Sequence, residues 1–567
     1  MSRSYLVFLL AVLAGCGPQI SSTQQFAKDL ENLTGDFVYG TLGLSPVAAT
    51  GAGYHVHNGV PLDELLDDYS EQGMEAQRSF VRRLEQRMAA LDAAKPDQEQ
   101  AADLEILKNN LQLSRLELDT LQSYKHNPTV YVELAGNALF TPYMLNYAPL
   151  EKRFEQITRR LEKMPALFQQ AKANLVDAPE VWNRVAREEN EGNLQMIDKV
   201  LRAAAPESQK AAYAKAADLA MAALADFNRF LKDTLSRKTS DWRLGQAKYA
   251  RKFAYVLAVP QTPEQLLAAA EADLKSVRAE MARLAAPQTV EQALAEVARQ
   301  HATPETYVAR AKETLAQATA FVREKDLLGL PARGNLQLIE TPEFMRGIYA
   351  VGGFNAAPAL EPNLGAYYWI TPIPRGWPQD RIESKLREYN NFGLQQLTIH
   401  EAMPGHWVQL EYANDVQPPS RRLLRNLFAS TPYVEGWGVY AQQIMQDAGY
   451  LGDSKPLRLT FYKQLLRMLA NTILDVRLQT MGMTDEQALD LMIRDTYQEK
   501  EEATAKLQRA QLSSCQLPTY YAGWKGWLEV REKYKQRAGS AYSLKEFHER
   551  ALKESGVPLA VLGRLLE

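Results

Sequence analysis

The chain has 567 residues, 46% of them apolar and 23% charged, with 31 glycines and 28 prolines. That is ordinary globular usage at a length worth at most about four domain-sized units, and it excludes disorder, collagen and a many-span membrane protein. Lys and Arg number 65 against 68 Asp and Glu, a net charge of -3. No basic excess exists to neutralise phosphates, so nucleic acid is excluded as a partner. Two cysteines exclude a disulfide-rich scaffold and a thiolate zinc ribbon.

Residues 1–15 read as an export signal. Arg3 supplies a positive charge, and the apolar run from Tyr5 to Leu13 is too short for an ordinary spanning helix. It ends in Leu13-Ala14-Gly15-Cys16, which resembles the bacterial lipobox. The resemblance implies lipidation of Cys16, removal of the preceding peptide, and acyl chains that hold the body to a membrane. Cys515 would then be the only free thiol. Gly17 follows the cysteine rather than an aspartate, which points to the outer membrane, facing the periplasm. Residues 16–45 are expected to be a tether.

From about Asp63 to Lys325 the apolar spacing is helical almost throughout. Leu267, Ala270, Leu274, Val277, Met281 and Leu284 alternate steps of three and four, one stripe of a packed helix. Thr262-Pro263-Glu264-Gln265 has capping-box spacing with proline at the first helical position, and Thr303-Pro304-Glu305 is expected to open the next helix similarly. The charged stretch from Gln77 to Lys125 reads as the solvated face of long helices. Near Leu330 the texture turns rich in Gly and Pro. Asn335–Glu340 and Gly365–Thr371 read as short strands. Helical spacing returns from about Arg381. The chain is therefore divided into a helical lobe over 46–330 and a second lobe over 331–567 that holds the chemistry and a little sheet.

Two of only seven histidines stand six apart in His400-Glu401-Ala402-Met403-Pro404-Gly405-His406. Phe392 to Ile399 ahead of them reads as helix. Histidines four apart on a helix grip one zinc ion. Six apart lies roughly 240° around an undisturbed helix, so the rings diverge. Pro404 and Gly405 offer a remedy, because proline breaks the helix and glycine tolerates unusual backbone, and a two-residue bulge would swing His406 back. The residues alone leave a second reading open: a helix end with a capping histidine and a Pro-Gly stop. Glu435, in an apolar and aromatic setting at the start of a helix, completes a His-His-Glu set or else simply favours a helix N-terminus.

The heptapeptide His400–His406, the run Glu435-Gly436-Trp437-Gly438-Val439-Tyr440, and the C-terminal Phe547-His548-Glu549-Arg550-Ala551-Leu552 with Gly556-Val557-Pro558-Leu559 resemble the domain-of-unknown-function family 885. Its members are often bacterial lipoproteins similar to gluzincin-type zinc metallopeptidases. The resemblance implies a mainly α, gluzincin-like fold, two helical lobes around a deep cleft with a small β-sheet in the C-terminal lobe. It also implies one zinc ion on His400, His406 and Glu435, with Glu401 as catalytic base. Many relatives carry a further histidine directly after the one matched by His406; this chain has Trp407 there.

The chemistry that follows is hydrolysis of a peptide substrate: Glu401 moves the proton of a metal-bound water to the leaving amine. Tyr520 and Tyr521 are the candidate donors to the developing oxyanion. The strand around Tyr367 and Tyr368 is a candidate to pair with an extended peptide, and Arg531 to hold a carboxylate. Two alternatives share these residues: a peptide- or partner-binding envelope lipoprotein with a vestigial metal site, and a hydrolase of another amide or ester. His55, His57, His126, His301 and His548 read as structural or surface histidines. No nucleophile elbow, phosphate loop or dinucleotide fingerprint occurs.

Overall fold

The computed structural model describes residues 22–91, 96–341, 346 and 351–567; Cys16 and the export signal lie outside them. Helices dominate. The Thr262 capping box forms as its spacing predicts: Gln265 N–H donates to Thr262 Oγ1 and Thr262 N–H to Gln265 Oε1, opening helix Pro263–Ala285. Its apolar stripe packs against helix Lys455–Thr480. Thr303-Pro304-Glu305 behaves differently. Thr303 and Thr306 exchange backbone-to-hydroxyl bonds in a closed turn, and the helix starts only at Tyr307.

Two expectations are corrected here. Helix Ser22–Leu44 occupies most of the supposed tether, and Phe26, Leu30, Leu33, Phe37 and Leu42 are buried in the main core. Those residues recur at three- to five-residue steps, a helical stripe whose burial outweighs any linker role. The division at 330 also fails as a packing boundary. The main core joins Phe26–Tyr124 to residues from Ala302 to Leu566, and another joins Tyr249–Ala270 to Val439–Ala522. Only the core built on Tyr131–Leu235 is close to self-contained, and Trp369 enters even that one.

Both predicted strands form, as Leu336–Glu340 and Ala366–Ile370, and a third, Gly352–Asn355, joins them. Ala366–Ile370 is the central strand, parallel to the first and antiparallel to the third. Gly352 is required at its crossing, since a Cβ there would lie 2.2 Å from Trp369 O. Tyr368 and Ile370 face the main core and Trp369 faces the core of the 131–235 helices. The sheet thus ties the Tyr131–Leu235 bundle to the helices that carry the candidate site.

Candidate metal centre

Asn390 caps helix Asn391–Glu401 by accepting from the Phe392 and Gly393 amides. This helix ends at Glu401, the chain turns through Ala402–Gly405, and a new helix, His406–Ala413, begins on the second histidine. The break is complete rather than a bulge. Gly405 is compulsory at the turn: a Cβ on it would lie 1.9 Å from His400 O and 2.2 Å from Ile399 O, both backbone. Trp437 holds the turn from the far side, its indole N–H donating to Pro404 O (2.9 Å) and, less closely, Gly405 O. The two imidazoles now face one another at right angles, ring centroids 4.6 Å apart.

Glu435 arrives on helix Thr431–Asp447. Gly438, one turn on, gives His400 its place, since a Cβ there would meet the imidazole at 2.4 Å. Gly436 serves another purpose. It meets Gly523 of helix Thr519–Ala538 backbone to backbone, and a Cβ on either would fall within 2.3 Å of the other helix. That crossing carries Tyr520 against His400, ring centroids 6.2 Å apart and nearly parallel. The C-terminal motif braces the same helix: Ala551 O accepts from Tyr433 OH, His548 Nε2 pairs with Tyr440 OH (2.9 Å), and Gly556 O accepts from Ser430 N. His548 is buried, and burial lowers its imidazole to about 4 despite its Leu327 bond, so it serves as a neutral core histidine.

His400, His406 and Glu435 each offer a ligand atom within 4.8 Å of the others. Glu435 Oε2 lies 3.4 Å from His400 Nε2 and 3.6 Å from His406 Nε2, is buried, and has no hydrogen-bond partner. These separations are long for hydrogen bonds. They match the ligand-to-ligand edge of a tetrahedral site with arms of about 2.1 Å, which is about 3.4 Å. The orphaned oxygen and the donor set therefore fit a zinc ion. Burial would raise the Glu435 carboxyl, but the two imidazoles hold it well below the usual carboxylate range. Burial would lower His406, but Glu435 and then Glu401 raise it overall. The three side chains keep 11–18% of their surface exposed, so solvent reaches the centre.

The other candidates divide. Glu401 adjoins a ligand, its charge is felt at His406, and it has neither hydrogen bond nor ion pair among the described residues. Tyr520 OH accepts from Arg509 Nη2 (3.3 Å) and Gln516 Nε2 (3.4 Å); burial and then the Glu435 charge push its phenol up to about 12. Tyr521 points away and donates to Asp273 Oδ2. Tyr368 is fully buried and bonded to Thr398 Oγ1, and Tyr367 packs on the opposite core. Their strand has both edges occupied, so it offers no backbone to a peptide. Arg531 lies over the Tyr440 ring. Trp407 donates to Asn335 Oδ1, towards the sheet, so His406 is the residue of this turn that faces His400. Arg509 and Gln516 were missed, because nothing in their local sequence marks them; Gly405, Gly436, Trp437 and Gly438 stood inside the quoted motifs, yet only their contacts reveal their roles.

Among solved structures, the chain is similar to a lipoprotein of unknown function from Shewanella oneidensis, at 28% identity and a TM-score of 0.78, over 95% of this chain and 99% of that one. It is similar also to a lipoprotein from Colwellia psychrerythraea, at 18% identity and a TM-score of 0.76, over 97% and 99%. A likeness to metallocarboxypeptidase 1 of Trypanosoma cruzi, at 12% identity and a TM-score of 0.38 over 95% and 91%, is too slight to bear on fold or activity. No curated protein matches the sequence. The family model for bacterial protein of unknown function DUF885 matches residues 46–566, and the chain belongs to that family.

Proposed function

We propose that this chain is a membrane-tethered, zinc-dependent hydrolase that cleaves peptide bonds in short peptides. The observation that carries this reading is the pair of imidazole nitrogens set 3.4 and 3.6 Å from one buried, unpartnered carboxylate oxygen. Two imidazoles and a carboxylate suit zinc. Zinc held there supplies an acidified water and polarises the substrate carbonyl.

The chain's own residues do the rest. Glu401, without a hydrogen bond or ion pair among the described residues, takes the proton of the attacking water and delivers it to the leaving amine. Tyr520 keeps its proton because its phenol titrates near 12, and it spends its oxygen only as an acceptor from Arg509 and Gln516. That proton is free to meet a developing oxyanion. Gln409 fixes the second ligand helix by donating to Tyr433 O.

The tether rests on the lipobox at Cys16, with Gly17 favouring the outer membrane, and on the similar Shewanella oneidensis protein being named as a lipoprotein. Among the described residues no helix is long and apolar enough to cross a membrane. The test is metal content of the purified protein alongside turnover of short peptides by wild type and Glu401→Gln. Bound zinc in both, with activity down about 10²–10⁴-fold in the variant, supports the reading. A metal-free protein with unchanged turnover in the variant, or bound zinc without cleavage of any peptide, overturns it.

A further inference from the structure

Helix Lys500–Leu512 presents Glu502, Lys506 and Arg509 at steps of four and three, hence on one face. Glu502 is spent: it accepts from Tyr389 OH and pairs with Arg467. Glu388 beside it takes Lys463 (2.7 Å) and the other edge of Arg467. No carboxylate among the described residues lies within ion-pair distance of Lys506 or Arg509. Lys506 keeps only 6% of its surface; burial first, then Arg467 and Arg509, hold its amine well below the usual lysine range, although Glu502 and Glu388 oppose them. Keeping that amine protonated costs free energy that an anion bound at the same place would offset.

Arg509 joins this patch to the metal centre. Its Nη2 donates to Gln516 Oε1 (3.0 Å) and Tyr520 OH (3.3 Å), both neutral, and Tyr520 stacks on His400. The Arg509 side chain is open to solvent, so a ligand can reach the guanidinium from outside. The route from Arg509 through Tyr520 to His400 spans about four extended residues, at about 3.3–3.6 Å each.

We propose that Arg509 and Lys506 form the subsite for the free carboxylate at the C-terminal end of the peptide, which makes the hydrolase one that releases short C-terminal pieces. A guanidinium fork with an ammonium beside it suits a planar carboxylate. The catalytic consequence rests on the hydrolytic reading above; the binding does not.

The test uses the full-length Glu401→Gln protein loaded with zinc, so that ligands are held without turnover, and calorimetry with tripeptide libraries in three forms: free acids, C-terminal amides, and amides ending in Asp or Glu. Free acids are expected to bind at least about tenfold tighter than neutral amides. Adding Arg509→Gln abolishes that ratio and Arg509→Lys restores part of it, with zinc content unchanged. Equal affinities, no binding of any peptide, a preference that survives Arg509→Gln, or tight binding confined to amides ending in Asp or Glu would overturn the terminal-carboxylate subsite. An inactive or metal-free wild type, by contrast, defeats the hydrolase reading and leaves the binding difference standing.

Discussion

His55 and the pair His400 and His406 both sit among carboxylates, and they do opposite things with them. His55 hydrogen-bonds Asp63 through Nδ1 (2.9 Å) and faces Glu361 with Nε2 at 3.3 Å without a hydrogen bond, so its two carboxylates lie on two sides of the ring. Asp63 is further satisfied by Thr50 Oγ1 and Gln156 Nε2. At the candidate centre, two rings aim at a single oxygen of Glu435 that has no hydrogen bond of its own. The first arrangement latches segments together; the second gathers donors around one point. Convergence, rather than residue composition, separates a latch from a metal site.

The comparison is broken most severely by removing a converging ligand. His400→Ala or Glu435→Gln should cost more metal affinity than the 10–100-fold that outer partners are worth, whereas His55→Asn should leave metal content unchanged; mass spectrometry of purified protein reads both. Gly405→Ala comes next. Its methyl would strike two backbone carbonyls, so the turn must open. The expected outcome is weakened metal binding together with about 1–3 kcal/mol lost from the fold, read by metal titration and chemical unfolding. Trp437→Phe keeps the ring and deletes the N–H that holds the Pro404 and Gly405 carbonyls. Metal affinity should fall about 10–100-fold with the fold intact.

The heptapeptide and Glu435 were legible because metal ligation demands particular side chains at short spacings, and Pro404-Gly405 announced a break. The choice between Tyr520 and Tyr521 was not. Adjacent positions on a helix point about 100° apart, and only the Gly436–Gly523 crossing decides which one meets His400. Arg531 was singled out and Arg509 was not for the same reason, since a lone arginine on a charged helix carries no local sign of what it faces. The stripe from Phe26 to Leu42 went unread, although its three- to five-residue steps stand in the sequence directly after the lipobox. The strand Gly352–Asn355 hid behind two glycines, residues that ordinarily weaken a strand.

Protonation sharpens the contrast further. Without metal, His406 is raised above 6.5 and Glu435 is depressed below 4.5. Their pairing therefore stabilises the fold below pH 6.5 and is lost as pH rises through the raised imidazole value; the Glu435 share is present above pH 4.5 and lost as pH falls through the depressed one. Metal needs the neutral imidazole, so affinity in chelator competition should fall about tenfold per pH unit once His406 protonates. Burial would lower His55, but Asp63 and then Glu361 raise it overall. The smallest effect follows: His55→Asn should cost about 1–2 kcal/mol at pH 6 and less at pH 9, by chemical unfolding.

X-ray absorption at the zinc edge on the purified chain tests the centre most directly. One ion per chain is predicted, with two imidazole nitrogens and a carboxylate oxygen at about 2.0–2.2 Å, and the imidazole signal should weaken in His406→Ala. A protein that takes up no zinc, or whose zinc keeps an unchanged spectrum in that variant, would contradict the account.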